Sequence, residues 1–153
     1  MARLKEFRFI WTDAWHQIDD GYDSILETAE NGTVSIKALV NLMPFSINLT
    51  DREDLFIAAL EEIGVADWNQ KEYCDPWVCD GDIWMLSLTY DSHHIIAIGM
   101  NGYPTTFPQF LRLLHDKYDL PRANIDKDDA WILKEIKHTK INKITHMDFA
   151  TYL

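Results

Sequence analysis

Cys74 and Cys79 stand five residues apart with Pro76 and Trp77 between them, and they are the chain's two cysteines. Two close thiolates can hold zinc when a second close pair completes the tetrahedron. His93-His94 is the nearest candidate pair, but adjacent residues on a strand point to opposite faces and cannot serve one ion together. The favoured reading is two free thiols in an aromatic stretch, with a reversible disulfide as the next. The acidic runs Asp19-Asp20-Gly21-Tyr22-Asp23 and Asp126-Lys127-Asp128-Asp129 invite a calcium reading. The first lacks the spacing of a calcium loop. The second has Ala130-Trp131 where such a loop turns on glycine, and Lys137 where its closing glutamate belongs. Solvated turn and helix-cap carboxylates fit both runs better. The six histidines, His16, His93, His94, His115, His138 and His146, are scattered. Asp13 and His16 lie three apart, but no Gly-x-Ser-x-Gly elbow or reactive-cysteine signature accompanies them. The residue types therefore favour neither an enzyme nor a bound metal or other cofactor.

Charge is more informative. The 153 residues carry 25 acidic and 14 basic side chains, a net charge of −11. Residues 1–82 hold 17 acidic and 6 basic groups, whereas residues 83–153 hold 8 of each, so the whole excess lies in the first half. A surface of this sign repels phosphate backbones and anionic lipid, which disfavours direct nucleic-acid or membrane-surface binding. It suits a protein partner with a basic surface. The candidate binding residues are Asp51, Asp54, Glu61 and Glu62, with Asp19, Asp20 and Asp23. Lys134, Lys137, Lys140 and Lys143 recur every third residue near the other end.

The elements that would carry these groups follow from periodicity. At 47% hydrophobic and 12% aromatic residues, the chain can bury one sizeable core, and it reads as one domain over 1–153. Phe7, Phe9 and Trp11 alternate as in a half-buried strand. Residues 22–40 read as a hairpin turning at Asn31-Gly32, a pair suited to a two-residue turn with positive φ. Thr50 with Glu53 predicts a capping box ahead of a helix whose apolar stripe is Leu55, Ile57, Ala59, Leu60 and Ile63, ending at Gly64. Residues 83–100 form a second hairpin turning near Asp91–His93, with Trp84, Leu86 and Leu88 on one face. A helix from Phe107 to about Tyr118 follows, with Thr105 or Thr106 as its cap. A last helix spans Lys127 to Lys137, capped by Asp126, with Trp131, Ile132 and Ile136 inward. Residues 138–153 read as a short strand or an ordered tail. The expected fold is α+β: an antiparallel sheet of about five strands, two hairpins plus an N-terminal strand, with about three helices.

Asp80-Gly81-Asp82-Ile83-Trp84-Met85-Leu86-Ser87-Leu88, then Gly99-Met100-Asn101-Gly102-Tyr103-Pro104 and the helix from Phe107, carry a resemblance. This stretch, roughly residues 77–115, is similar to a group of small bacterial and phage proteins. Those share an aspartate–glycine–x–x–tryptophan strand, a return strand and an asparagine–glycine–tyrosine–proline corner. The resemblance implies such a source and a fold element, with no activity attached. Physically, Gly81 and Gly102 permit tight turns, Trp84 anchors the core, and Pro104 stiffens entry to the helix.

No apolar run reaches the roughly 20 residues of a membrane span, and the N-terminus lacks a signal-peptide core. With few cysteines, a reducing cytoplasm is the expected compartment. The functional expectation is a small acidic binding protein that inhibits a basic, nucleic-acid-handling partner by occlusion. It would act as an immunity protein against a nuclease toxin or as a phage protein countering a host defence nuclease. The alternatives are a small metal- or thiol-dependent enzyme using Cys74, Cys79 and histidines, or an accessory structural domain.

Overall fold

The structure, a computed structural model, describes residues 3–13, 17, 19–77, 81–126 and 128–144. Its elements in chain order are β1 (Leu4–Asp13), β2 (Tyr22–Thr28), β3 (Val34–Val40), β4 (Met43–Asn48), α1 (Glu53–Ile63), a 3-10 turn (Val65–Trp68), β5 (Lys71–Cys74), β6 (Asp82–Tyr90), β7 (His93–Met100), α2 (Phe107–Arg112), α3 (Asp129–Lys137) and β8 (Lys140–Lys143). Leu113–Lys117 continues α2 as a π turn. The strands form one sheet in the order β4-β3-β2-β1-β6-β7-β5-β8.

The α+β class and the three helices match the sequence reading, but the sheet does not. Among the described residues it has eight strands rather than about five, and it is mixed: β5 runs parallel to β7 while its other neighbour, β8, is antiparallel. Periodicity missed β4 and β5, whereas β8 falls where a short strand was one of the two readings; β5 and β8 have four residues each and mix charge with bulk. These two short strands, at or beside a sheet edge, carry the polar, pairing-resistant sequence common there, which alternation does not mark. β8 answers part of the question over 138–153; residues 145–153 lie outside the described residues.

Both expected hairpins form. β2 pairs with β3 from Tyr22↔Val40 to Thr28↔Val34, and β6 with β7 from Ile83↔Met100 to Tyr90↔His93. The first turn differs from expectation. The Gly32 N–H donates to Ala29 O, the Ala29 N–H donates to Thr33 O, and Gly32 alone has positive φ (88°). That is a three-residue loop with a left-handed glycine, not a two-residue turn. The two-residue loop with positive φ at both positions sits instead at Asn41-Leu42, between β3 and β4.

Helix caps diverge for a common reason: the capping side chains find partners elsewhere. Thr50 Oγ1 accepts from the Val34 N–H and Glu53 Oε1 from the Leu4 N–H, so no capping box forms and α1 starts at Glu53 without a side-chain cap. Thr106 precedes α2, but its hydroxyl accepts from Trp68 Nε1. α3 is capped by Asp128, which accepts from the Trp131 N–H, because Asp126 is buried in the interior. Gly64 does end α1 in the left-handed region. Along α1, Phe56, Ile57 and Leu60 turn inward, whereas Leu55 is 56% exposed.

All three helices lie on the sheet face that carries Phe7, Phe9 and Trp11. Phe56 of α1 meets Phe7, and Phe107 and Phe110 of α2 meet Trp11, Trp84 and Phe9. Trp131 of α3 meets Tyr103. Trp84, Leu86 and Leu88 share this buried face as expected, and Trp84 Nε1 donates to Gly102 O at 2.8 Å. Gly99 makes room for that indole: a Cβ there would land on it. Gly102 serves close approach rather than a turn, since a Cβ would lie 2.5 Å from the Cys74 backbone nitrogen. The opposite face holds a separate, smaller cluster of Ile10, Met85, Ile96, Ile98 and Ile144.

Candidate functional site: an acidic cleft at one end of the sheet

The seven acidic residues singled out from sequence do not share one face. Asp51, Asp54, Glu61 and Glu62 are exposed along the outer side of α1, together with Leu55. The helix is tied to the start of β1 by the Glu53–Leu4 bond, and Leu4 pairs with Tyr90 of β6. Asp19 and Asp20 are exposed beyond the other end of β1, which is ten residues long, so roughly 30 Å separates the two groups. Asp23 sits on neither: it follows core-facing Tyr22 on β2, so it points to the face without helices, where Arg8 pairs with it at 3.0 Å.

At the far end the strands close on carboxylates. Asp13 ends β1 and Asp82 begins β6, directly opposite each other in the antiparallel register. With Asp19, Asp20, Gln17, Asn124 and Ile125 they line a cleft of about 300 Å³. The lining is held in place: Asp13 Oδ1 accepts from the Gln17 N–H, Asp20 Oδ1 from Asn124 Nδ2, and Asp82 Oδ2 from the Tyr103 hydroxyl. Among the described residues that line it there is no lysine or arginine. A divalent cation needs oxygens converging at about 2.0–2.6 Å, and no group of metal-ligating side chains of that kind occurs among the described residues. A guanidinium or ammonium on a flexible stem needs only an acidic hollow of its own size. The sequence offered one usable signal, acidic residues at the ends of two strands. Their register was not legible without knowing that β1 and β6 pair.

Behind the cleft lies an arrangement that sequence reasoning missed. Asp126, with its side chain fully buried, accepts from the Tyr22 hydroxyl at 2.9 Å and lies 2.6 Å from His115 Nε2. His115 Nδ1 faces the Leu120 carbonyl at 2.8 Å. Both ring nitrogens thus meet acceptors, and the His115–Asp126 contact must contain a shared proton to be a hydrogen bond. The Ala123 N–H donates to the Tyr22 oxygen, and Arg122 stands 3.8 Å from Asp126. This cluster clips the segment after the π turn to β2. Burial, then the Asp126 charge, pushes the Tyr22 hydroxyl far up; burial does the same to Tyr103, beside Asp82. Tyr73 is pushed up to about 12 by burial and Asp67.

The remaining candidates are dispersed. Cys74, half-buried at the end of β5, has its thiol pushed up by burial and by Glu72, which disfavours the nucleophilic thiolate. Cys79, His16 and His146 lie outside the described residues. His93 stacks on Tyr90 and His94 Nδ1 meets Thr89 Oγ1, both on the surface. Of the residues carrying the resemblance, Trp84, Gly102 and Pro104 are buried, while Gly81 packs against the Asn101 side chain. Among the described residues no helix is long and apolar enough to cross a membrane. Comparisons with protein-family models, with curated proteins and with solved structures found no match to this chain.

Proposed function

We propose that this chain is a small acidic binding protein that inhibits a basic, nucleic-acid-handling protein by occupying the surface where phosphates would lie. Two biological settings fit: immunity against a nuclease toxin, and phage counter-defence against a host nuclease. The observation that carries the reading is the cleft of Asp13, Asp19, Asp20 and Asp82. It offers a seat for an arginine or lysine of the partner, and its acidic walls focus the field outward. The carboxylates on α1 add long-range attraction from the other end of the sheet. The reading needs no cofactor and no direct contact with nucleic acid or membrane.

The test is capture of a basic nuclease by the immobilised chain, followed by association kinetics with the purified partner. Asp19→Asn with Asp20→Asn keeps shape and removes two exposed charges. The expected result is a slower on-rate, a weaker dependence on salt, and loss of nuclease inhibition in parallel. An acidic or neutral partner, or kinetics unchanged by the double variant and by salt, overturns the reading.

A further inference from the structure

The two edges of the sheet are built differently. β8, Lys-Ile-Asn-Lys, places a lysine at each end, the usual protection of an open ladder. β4, Met-Pro-Phe-Ser-Ile-Asn, carries no charge, and no charged residue occurs anywhere from Ala38 to Thr50. Leu42 just before it (52% exposed), and Met43 (60%) and Phe45 (39%) within it, face solvent. In a chain of net charge −11 a second copy is repelled overall, and at this edge it can approach without bringing like charges together.

We propose that β4 is a self-association edge, pairing antiparallel with β4 of a second copy about a two-fold axis at Ser46. The register follows from the hydrogen-bond alternation. The two-residue loop Asn41-Leu42 closes on Val40↔Met43, and the Leu49 N–H donates to Val34 O at the other end. The odd-numbered residues of β4 therefore bond to β3, and Pro44, Ser46 and Asn48 direct their backbone groups to the open side. Pro44 costs the β3–β4 ladder nothing, because its missing N–H would point outward. An axis at Ser46 sets the two serines opposite each other, exchanging both N–H···O bonds. It places each Pro44 opposite the other copy's Asn48, where the proline carbonyl still accepts and one donor per side is absent. On the face that bears the helices, Phe45 then meets the other copy's Ile47, an apolar cross-strand pair. The result is one continuous sheet of sixteen strands, with both acidic clefts free.

Sedimentation of the wild-type chain from micromolar to near-millimolar concentration reads this directly, at low and high salt. A monomer–dimer equilibrium that tightens as salt screens the like charges is expected. Ser46→Pro removes the two exchanged N–H donors without touching a β3–β4 backbone bond (it loses only the exposed contact of Lys37 Nζ with Ser46 Oγ), and should weaken the dimer by roughly tenfold to a hundredfold. Phe45→Glu sets a new negative charge beside the axis and should weaken it at least as much. Ile141→Lys on the β8 edge should change nothing. Far-UV circular dichroism confirms the fold of each variant; if Ser46→Pro fails to fold, Phe45→Glu and the wild-type salt dependence decide. A wild-type chain that stays monomeric, a dimer that weakens with salt, or a dimer untouched by Phe45→Glu overturns the proposal.

Discussion

Trp84 and Met85 are neighbours on β6, and they point into two unlike interiors. Trp84 enters the helix-covered face, where it touches Trp68, Tyr73 and Phe107 and bonds Gly102 O. Met85 enters the opposite face, whose cluster contains four other aliphatic side chains. Both residues are almost fully buried. The difference shows that burial alone does not rank positions: one face integrates three helices and most of the sheet, while the other ties a few strand residues together. The helix-covered face should hold the fold, and the opposite face should tolerate change.

The sharpest way to break this contrast is Trp84→Ala, which should cost about 3–5 kcal/mol, the range for removing a buried aromatic, as measured by urea unfolding. A folded variant of near-native stability would show that the helices do not depend on that contact. Next comes Asp126→Ala, which strands the Tyr22 hydroxyl and the His115 ring on the same face. Breaking a buried pair by removing one partner costs roughly 3 kcal/mol or more, and the loss should appear in the same unfolding midpoint.

Alkaline stability tests the same face through its tyrosines. A tyrosine raised in the folded state stays neutral while its unfolded counterpart ionises from about pH 10, so the unfolded state binds fewer protons and stability falls as pH rises. The contribution of these tyrosines should be level below about pH 10 and decline above it. Tyr73, at about 12, contributes roughly 2–3 kcal/mol to that decline, and Tyr22 and Tyr103 act in the same direction. Ionisation of all six tyrosines with the circular dichroism still native would contradict this. Met85→Ala should cost about 2 kcal/mol, the low end for a buried methionine, because a small cluster can collapse into the space. A loss equal to that of Trp84→Ala would erase the distinction between faces.

The smallest effect belongs to the surface. Asp51→Asn, Asp54→Asn, Glu61→Gln and Glu62→Gln together should shift stability by less than about 1 kcal/mol, since exposed charges contribute only tenths each. The same variant should slow association with a basic partner, which separates surface recognition from folding.

What was legible in the sequence divides along the same line. The alternation of Phe7, Phe9 and Trp11 and the run from Ile83 to Tyr90 located the central strands, because a buried face imposes a period of two. The Gly64 terminus was legible because few residues enter the left-handed region. The Thr50–Glu53 box and the Asp126 cap failed because local rules cannot anticipate a competing partner far along the chain: Val34 and Leu4 in one case, Tyr22 and His115 in the other. The acidic cleft was half legible. The carboxylates are plain in the sequence, yet Asp13 and Asp82 meet only through a strand register 69 residues long-range.

The π turn at Leu113–Lys117 carries a consequence for how this gene can vary. An i+5 turn accommodates one residue more than the α turn it interrupts. Removing one residue there would let the helix wind regularly, and most apolar side chains would find acceptable neighbours. Each residue turns a helix by about 100°, however, so His115 would swing away from Asp126. Substitutions in this turn other than at His115 are therefore a matter of side-chain fit, whereas a single-codon deletion would unlatch the segment from β2. Chain length is thus constrained at that point alongside the identity of His115.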